Sequence, residues 1–224
     1  MSGQIGTLNE SSLHAALKQW YKEPFDQLEM PIDNFIIDIV RNNLLIEIQT
    51  KNFSMIRTKL EKLIQNHKVR LIYPIIKDKW IINLDSQWKK IRRRLSPKHN
   101  SYIDIFNELI RIPHIVSHPN FSIEAILVQI EEIRKNDGKG SWRRNGWSIY
   151  DQKLVRIIDR KKFYTPNDYH VLIPDNLSFP FTNLDLAYSL KKSIGLARKM
   201  SYCLRKMDVI KIVGKKGRAF IFGF

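Results

Sequence analysis

The sequence predicts an α/β (α+β) chain: a mixed sheet core flanked by helices, then a basic helical region, then a small C-terminal domain of short helices and a hairpin. Three observations carry this. Apolar residues recur at helical spacing in some segments and fill others almost without interruption. Two-residue turn signals, Asp33-Asn34 and Asn42-Asn43, separate three of the uninterrupted segments. Positive charge is unevenly placed: residues 1–85 hold 11 Lys/Arg against 10 Asp/Glu, whereas residues 86–224 hold 27 against 12. The expected divisions are 1–88, 89–162 and 163–224.

Asn9 or Ser11 caps a first helix over about residues 10–21, with Leu13, Leu17, Trp20 and Tyr21 on one side. A short strand, "QLEMPI", leads through Asp33-Asn34 into "FIIDIVRNNLLIEIQT", two strands joined at Asn42-Asn43. A helix over "NFSMIRTKLEKLIQ" turns Phe53, Ile56, Leu60 and Leu63 inward, and two strands follow, "VRLIYPII" and "KWIINL". The crossover from strand through helix to strand is expected to be right-handed. The basic run "KKIRRRLSPK" leads out of this domain. Helices are then expected over about 101–111, 122–135 and 149–158, the last with Ser148 and Asp151 as a capping pair.

The chain has 224 residues, 43% of them hydrophobic, enough for one sizeable core or two small ones. Its single cysteine, Cys203, excludes an intramolecular disulfide and favours a reducing compartment. No apolar run approaches the roughly 18–20 residues of a membrane span. The first residues show neither the basic nor the apolar part of a signal peptide. A cytoplasmic protein without membrane contact is therefore expected. The net charge of +16 points to a polyanionic partner, DNA above all, with room for a homodimer.

The polar residues of residues 35–50 converge. A turn at Asn42-Asn43 pairs residues whose numbers sum to 85, so Asp38 faces Glu47 on one side of the sheet, with Gln49 diagonal to Asp38. A turn at Asp33-Asn34 brings Glu29 opposite Asp38. The other face carries Phe35, Ile37, Ile39, Leu44, Ile46 and Ile48 and reads as core. Two opposed carboxylates repel unless a cation lies between them, and Mg²⁺ or Mn²⁺, hard and oxygen-seeking, suits such a site. Lys51 shares the face if the strand continues that far; otherwise it is a solvated charge. A one-residue change in loop length would separate the pair.

An acid, a hairpin return and then acid–x–polar at the end of an apolar strand resembles the PD-(D/E)XK nuclease superfamily, over about residues 8–84. The order helix, three-strand meander, helix, strand resembles the restriction-endonuclease-like core of that superfamily. The resemblance implies metal-dependent phosphodiester hydrolysis, with Asp38 and Glu47 as metal-binding acids and Glu10 supporting the metal from the first helix. The departure is Gln49, where the superfamily usually has lysine; Lys51 is the candidate to supply the missing charge.

At the C-terminal end, Thr165 and Pro166 open one helix, Thr182 or Asn183 caps a second, and "LARKMSYCLRKM" forms a third. Leu196, Met200, Cys203, Leu204 and Met207 make its inward stripe; Arg198, Ser201, Tyr202 and Arg205 lie opposite. A hairpin turning at Gly214 to Gly217 follows. This order resembles a winged helix-turn-helix domain over about residues 163–224. The resemblance implies that Arg198, Ser201, Tyr202 and Arg205 enter the DNA major groove and that Lys215, Lys216 and Arg218 contact phosphates. In "SWRRNGW", Arg143 and Arg144 between Trp142 and Trp147 either hold nucleic acid or flank two packing anchors. The whole chain resembles an uncharacterised prokaryotic family pairing these modules. The function expected is a metal-dependent DNA endonuclease; the alternative is a non-catalytic DNA-binding regulator or scaffold with a degenerate nuclease domain.

Overall fold

The computed structural model describes residues 11–85 and 87–224. It is a mixed α+β structure whose contacts divide the chain into two compact units. One comprises the chain up to Asp26 with Pro74–Ser101 and Ile126–Arg160; the other comprises Gln27–Tyr73, Tyr102–Ala125 and Lys161–Phe224. Among the described residues, no helix is long and apolar enough to cross a membrane.

Helix α1 (Ser12–Tyr21) has Ser11 as its N-cap, the hydroxyl accepting from the His14 amide. Strands β1 (Gln27–Ile32), β2 (Phe35–Arg41) and β3 (Leu44–Ile48) form an antiparallel meander. Asp33 and Asn34 both take positive φ, as a type I′ turn requires, and Asn42 takes it in the second turn. Helix α2 (Phe53–Leu63) buries Phe53, Ile56, Leu60 and Leu63, the expected stripe. Its N-cap residue, Asn52, is left-handed and gives no side-chain bond. The Glu108 carboxylate accepts from the Phe53 amide instead, at 2.9 Å.

Strand β4 (Lys68–Leu84) is one 17-residue strand where two were expected. Its first part pairs in parallel with β3 through Ile72, and its last part pairs with β5 (Lys90–Leu95) from Trp80 onward. Pro74 falls between these ladders, where its missing N–H interrupts neither. The basic run is thus a sheet strand, not a lead-out segment. The Asp85 carboxylate closes its turn by accepting from the Gln87 and Lys89 amides.

The expected helical middle is corrected most. Over 101–111 there is only a 3₁₀ turn (Tyr102–Ile105) and the four-residue α3 (Phe106–Leu109). Residues 122–135 and 149–158 are not helices but parts of β6 (Phe121–Asn136) and β7 (Trp147–Phe163). Every residue from Phe121 to Val128 is buried. A strand covered on both faces shows no alternation and reads in sequence like a buried helix. The β-branched Ile123, Ile126, Val128, Ile130 and Ile133 were the discriminating signal. Asp151 is no capping partner of Ser148; its carboxylate accepts from the Ser12 amide (3.2 Å) and hydroxyl (2.6 Å), at the start of α1. The large sheet runs β1-β2-β3-β4-β6-β7, with β5 paired to β4.

After a 3₁₀ helix (Pro166–Leu172) capped by Thr165 and Asp168 come β8 (Phe181–Thr182), α4 (Asn183–Leu190), α5 (Ile194–Lys206), β9 (Lys211–Lys216) and β10 (Ala219–Gly223). The strands form a small sheet ordered β8-β10-β9. Thr182 and Asp185 make a reciprocal capping box for α4, and the Ser193 hydroxyl caps α5. Leu196, Met200, Cys203, Leu204 and Met207 are all buried, as the sequence indicates. The hairpin turns at Gly217-Arg218, because Lys216 pairs with Ala219; Gly214 lies inside β9 next to a register shift.

Candidate functional site

Both turn registers come out as the arithmetic gives them. Partners in β2 and β3 sum to 85 and partners in β1 and β2 to 67. Ile37, Ile39, Ile46 and Ile48 fill the core face, while Phe35 and Leu44 are half-buried. On the other face, Asp38 is half-buried and Glu47 is 4% exposed. At this point the two strands are joined through side chains. The Asp38 Oδ2 accepts from the Ile48 amide at 2.8 Å, and the Glu47 carboxylate accepts from the Asp38 amide.

Glu47 is held against its charge. Burial first, and the Asp38 carboxylate second, raise its pKa from an ordinary 4.5 to about 7; Lys59 offsets part of this. Lys59, on α2, places its Nζ 2.5 Å from Glu47 Oε1 and 2.5 Å from the Ile36 carbonyl. The Lys59 ammonium and the Glu47 carboxylate make a close, largely buried ion pair.

Lys59 is the residue that the sequence expectation missed. It lies beside the inward stripe of α2, between Ile56 and Leu60 and four residues before Leu63. A lysine there must snorkel or find a buried anion. Gln49 is placed differently from expectation. Its backbone amide extends the ladder to the Ile72 carbonyl, but its side-chain Nε2 donates to the Lys51 carbonyl at 2.6 Å, shaping the loop before α2. Strand β3 ends at Ile48, so the parity argument for Lys51 fails; that residue is exposed in the loop. Glu29 is exposed, at a positive φ within β1. Glu10 lies outside the described residues. Among the described residues no cluster of three or more His, Cys, Asp or Glu is poised to hold a metal.

In the small C-terminal sheet-and-helix region, Arg198 and Tyr202 are exposed and Arg205 half-buried along α5; Lys215, Lys216 and Arg218 are exposed on the hairpin. Ser201 is not on this surface. It is 2% exposed, and its hydroxyl donates to Asn183 Oδ1 on α4, because the 13-residue helix turns that position toward its neighbour. A cleft of about 500 Å³ lies between Leu184, Ile194, Arg198, Arg218 and Phe220. Burial raises the Cys203 thiol to about 12, which fits a core role. In the β6–β7 loop, Trp142 is 81% exposed, and Arg144 Nε donates to the Trp147 carbonyl. The side chain of Arg143 lies outside the described part.

Residues 11–164 match a family described as Domain of unknown function (DUF8091). An uncharacterized protein of Treponema pallidum (strain Nichols) is 29% identical over 160 residues, covering 71% of this chain and 64% of that relative's length. No solved structure matches.

Proposed function

The chain belongs to the DUF8091 family, and we propose that it is a divalent-metal-dependent nuclease of PD-(D/E)XK type whose C-terminal winged helix positions DNA. The observation that carries this is the Asp38–Glu47 pair, Glu47 buried and Asp38 half-buried, with Lys59 against Glu47. Ordinary stability gives no reason to bury a carboxylate beside another and leave it with a pKa of about 7.

What supports a divalent ion here is the donor set: two carboxylates that the β2–β3 register brings together, Glu47 buried and Asp38 half-buried. Mg²⁺ and Mn²⁺ accept one or two carboxylates and complete their shell with water and phosphate oxygens. Asp38 and Glu47 would hold the ion; when bound, it supplies a Lewis acid and a water of lowered pKa. The remaining work falls to the chain. Lys59 stands where positive charge can offset the developing charge on a phosphate, the task expected of the lysine that Gln49 replaces. Gln49 fixes the loop that leads into α2 and so the placement of Lys59.

The winged-helix part of the proposal rests on element order: helix, strand, helix, helix and a two-strand hairpin, with Arg198, Tyr202 and Arg205 along the last helix. The second reading, a non-catalytic DNA-binding regulator, is favoured by one fact: the Gln49 amide is turned to backbone carbonyls. Purified protein with Mg²⁺ or Mn²⁺, tested on duplex and single-stranded DNA and on RNA, separates the two. Cleavage lost in Glu47→Ala with DNA affinity retained supports the nuclease. No cleavage of any substrate leaves the regulator.

A further inference from the structure

The most basic stretch of the chain lies apart from both surfaces above in sequence. Residues 89–98 hold six Lys/Arg and no acid. Within them β5, "KIRRRL", is exposed at all six positions. It pairs with β4 alone, so its outer rim is open and side chains from both faces flank that rim. Arg93 is committed: its guanidinium lies 3.8 Å from the centre of the Trp80 ring and bonds Glu131 at 3.2 Å. Lys90, Arg92 and Arg94 form no ion pair among the described residues. One or two charges suffice to guard an edge strand against self-pairing; four cations in six residues exceed that.

Exposed aromatic rings stand at the head of this strand. Trp88, in the β4–β5 turn, is 48% exposed, and Tyr150, on β7, is 60% exposed. They meet edge to face at 4.6 Å, and the Lys135 ammonium sits 4.2 Å from the centre of the indole. Both rings keep about half of their surface open, which leaves area on which a base can stack. A duplex offers them no base faces, whereas an unpaired strand offers a face with every base. A lipid surface would favour apolar insertion on a free amphipathic helix, not rings at the rim of a sheet.

We propose that Trp88, Tyr150 and Lys135, with Lys90, Arg92 and Arg94 of β5, form a binding platform for single-stranded nucleic acid that uses none of the residues of the carboxylate pair or of α5. Bases stack on the rings and phosphates meet the unpaired cations. This stands whether or not the protein cleaves, and it is tested without divalent metal.

The experiment is fluorescence anisotropy of a labelled mixed-sequence 20-nucleotide single strand with the full chain in EDTA, repeated from low to moderate salt. Arg92→Ala with Arg94→Ala should weaken binding about tenfold and lower the salt slope by about 1.4, two phosphate contacts at roughly 0.7 each. Trp88→Ala with Tyr150→Ala should also cost about tenfold, while Trp88→Phe with Tyr150→Phe, which keeps the rings, should stay near wild type. Unchanged affinity in both alanine pairs overturns the proposal. So does an equal loss on duplex of the same length, or tighter binding to anionic phospholipid vesicles than to the oligonucleotide.

Discussion

Replacing Glu47 by glutamine should make the protein more stable while removing a charge on which the proposed cation site depends. A carboxyl whose pKa rises from 4.5 to about 7 on folding binds its proton more tightly in the native state. Below pH 4.5 both states are protonated and the group has no effect. Between 4.5 and 7 the unfolded chain loses its proton first, so native stability falls as pH rises; above 7 the loss is complete. At 1.36 kcal/mol per unit, the full loss is about 3 kcal/mol. Glutamine has the shape of the protonated side chain and does not titrate. Glu47→Gln should therefore exceed wild type by about 3 kcal/mol at pH 8 and by under about 0.5 kcal/mol at pH 4.5. Urea unfolding followed by circular dichroism at both pH values, without divalent metal, reads the difference. A variant less stable than wild type at pH 8, or a difference that does not change with pH, would refute the account of a carboxylate buried against its charge.

Other outcomes follow from the same contacts. Lys59→Ala should reduce metal-dependent cleavage by about 10²- to 10³-fold, the usual cost of one charge-stabilising donor, with Lys59→Arg recovering part of it in single-turnover assays. Arg198→Ala with Arg205→Ala should weaken duplex DNA binding and lower its salt slope by about 1.8, measured by titration across salt concentrations. Glu108→Ala removes the carboxylate that caps α2 at Phe53. It should cost about 1 kcal/mol in urea unfolding without changing DNA affinity.

Where the sequence speaks through short-range rules, it was legible. Asp33-Asn34 and Asn42-Asn43 set two hairpin registers, and those registers put Asp38 and Glu47 together. The α2 and α5 stripes came from 3.6-residue periodicity. What was not legible depends on distant partners. Residues 121–128 are buried on both faces, and only the strands alongside decide that they extend rather than coil. The single strand β4 passes through Pro74 because its lateral partners change there, which local pattern cannot show. Asp151 looked like a local cap and binds Ser12, 139 residues away. Lys59 was hidden because a lysine on a helix is ordinarily solvated, and the Glu47 that it meets lies on another element. Ser201 fell the other way: a polar residue at the margin of a stripe went to Asn183 instead of to the surface.

The claim at the centre is that Asp38 and Glu47 form a divalent-cation site. Isothermal titration of Mn²⁺ into the wild-type protein at pH 7 reads this directly. One ion should bind with release of about half a proton, because the metal drives the half-protonated Glu47 to its charged form, and Asp38→Asn and Glu47→Gln should each abolish the binding. No Mn²⁺ binding to wild type, or the same binding in both variants, would place the pair outside metal chemistry.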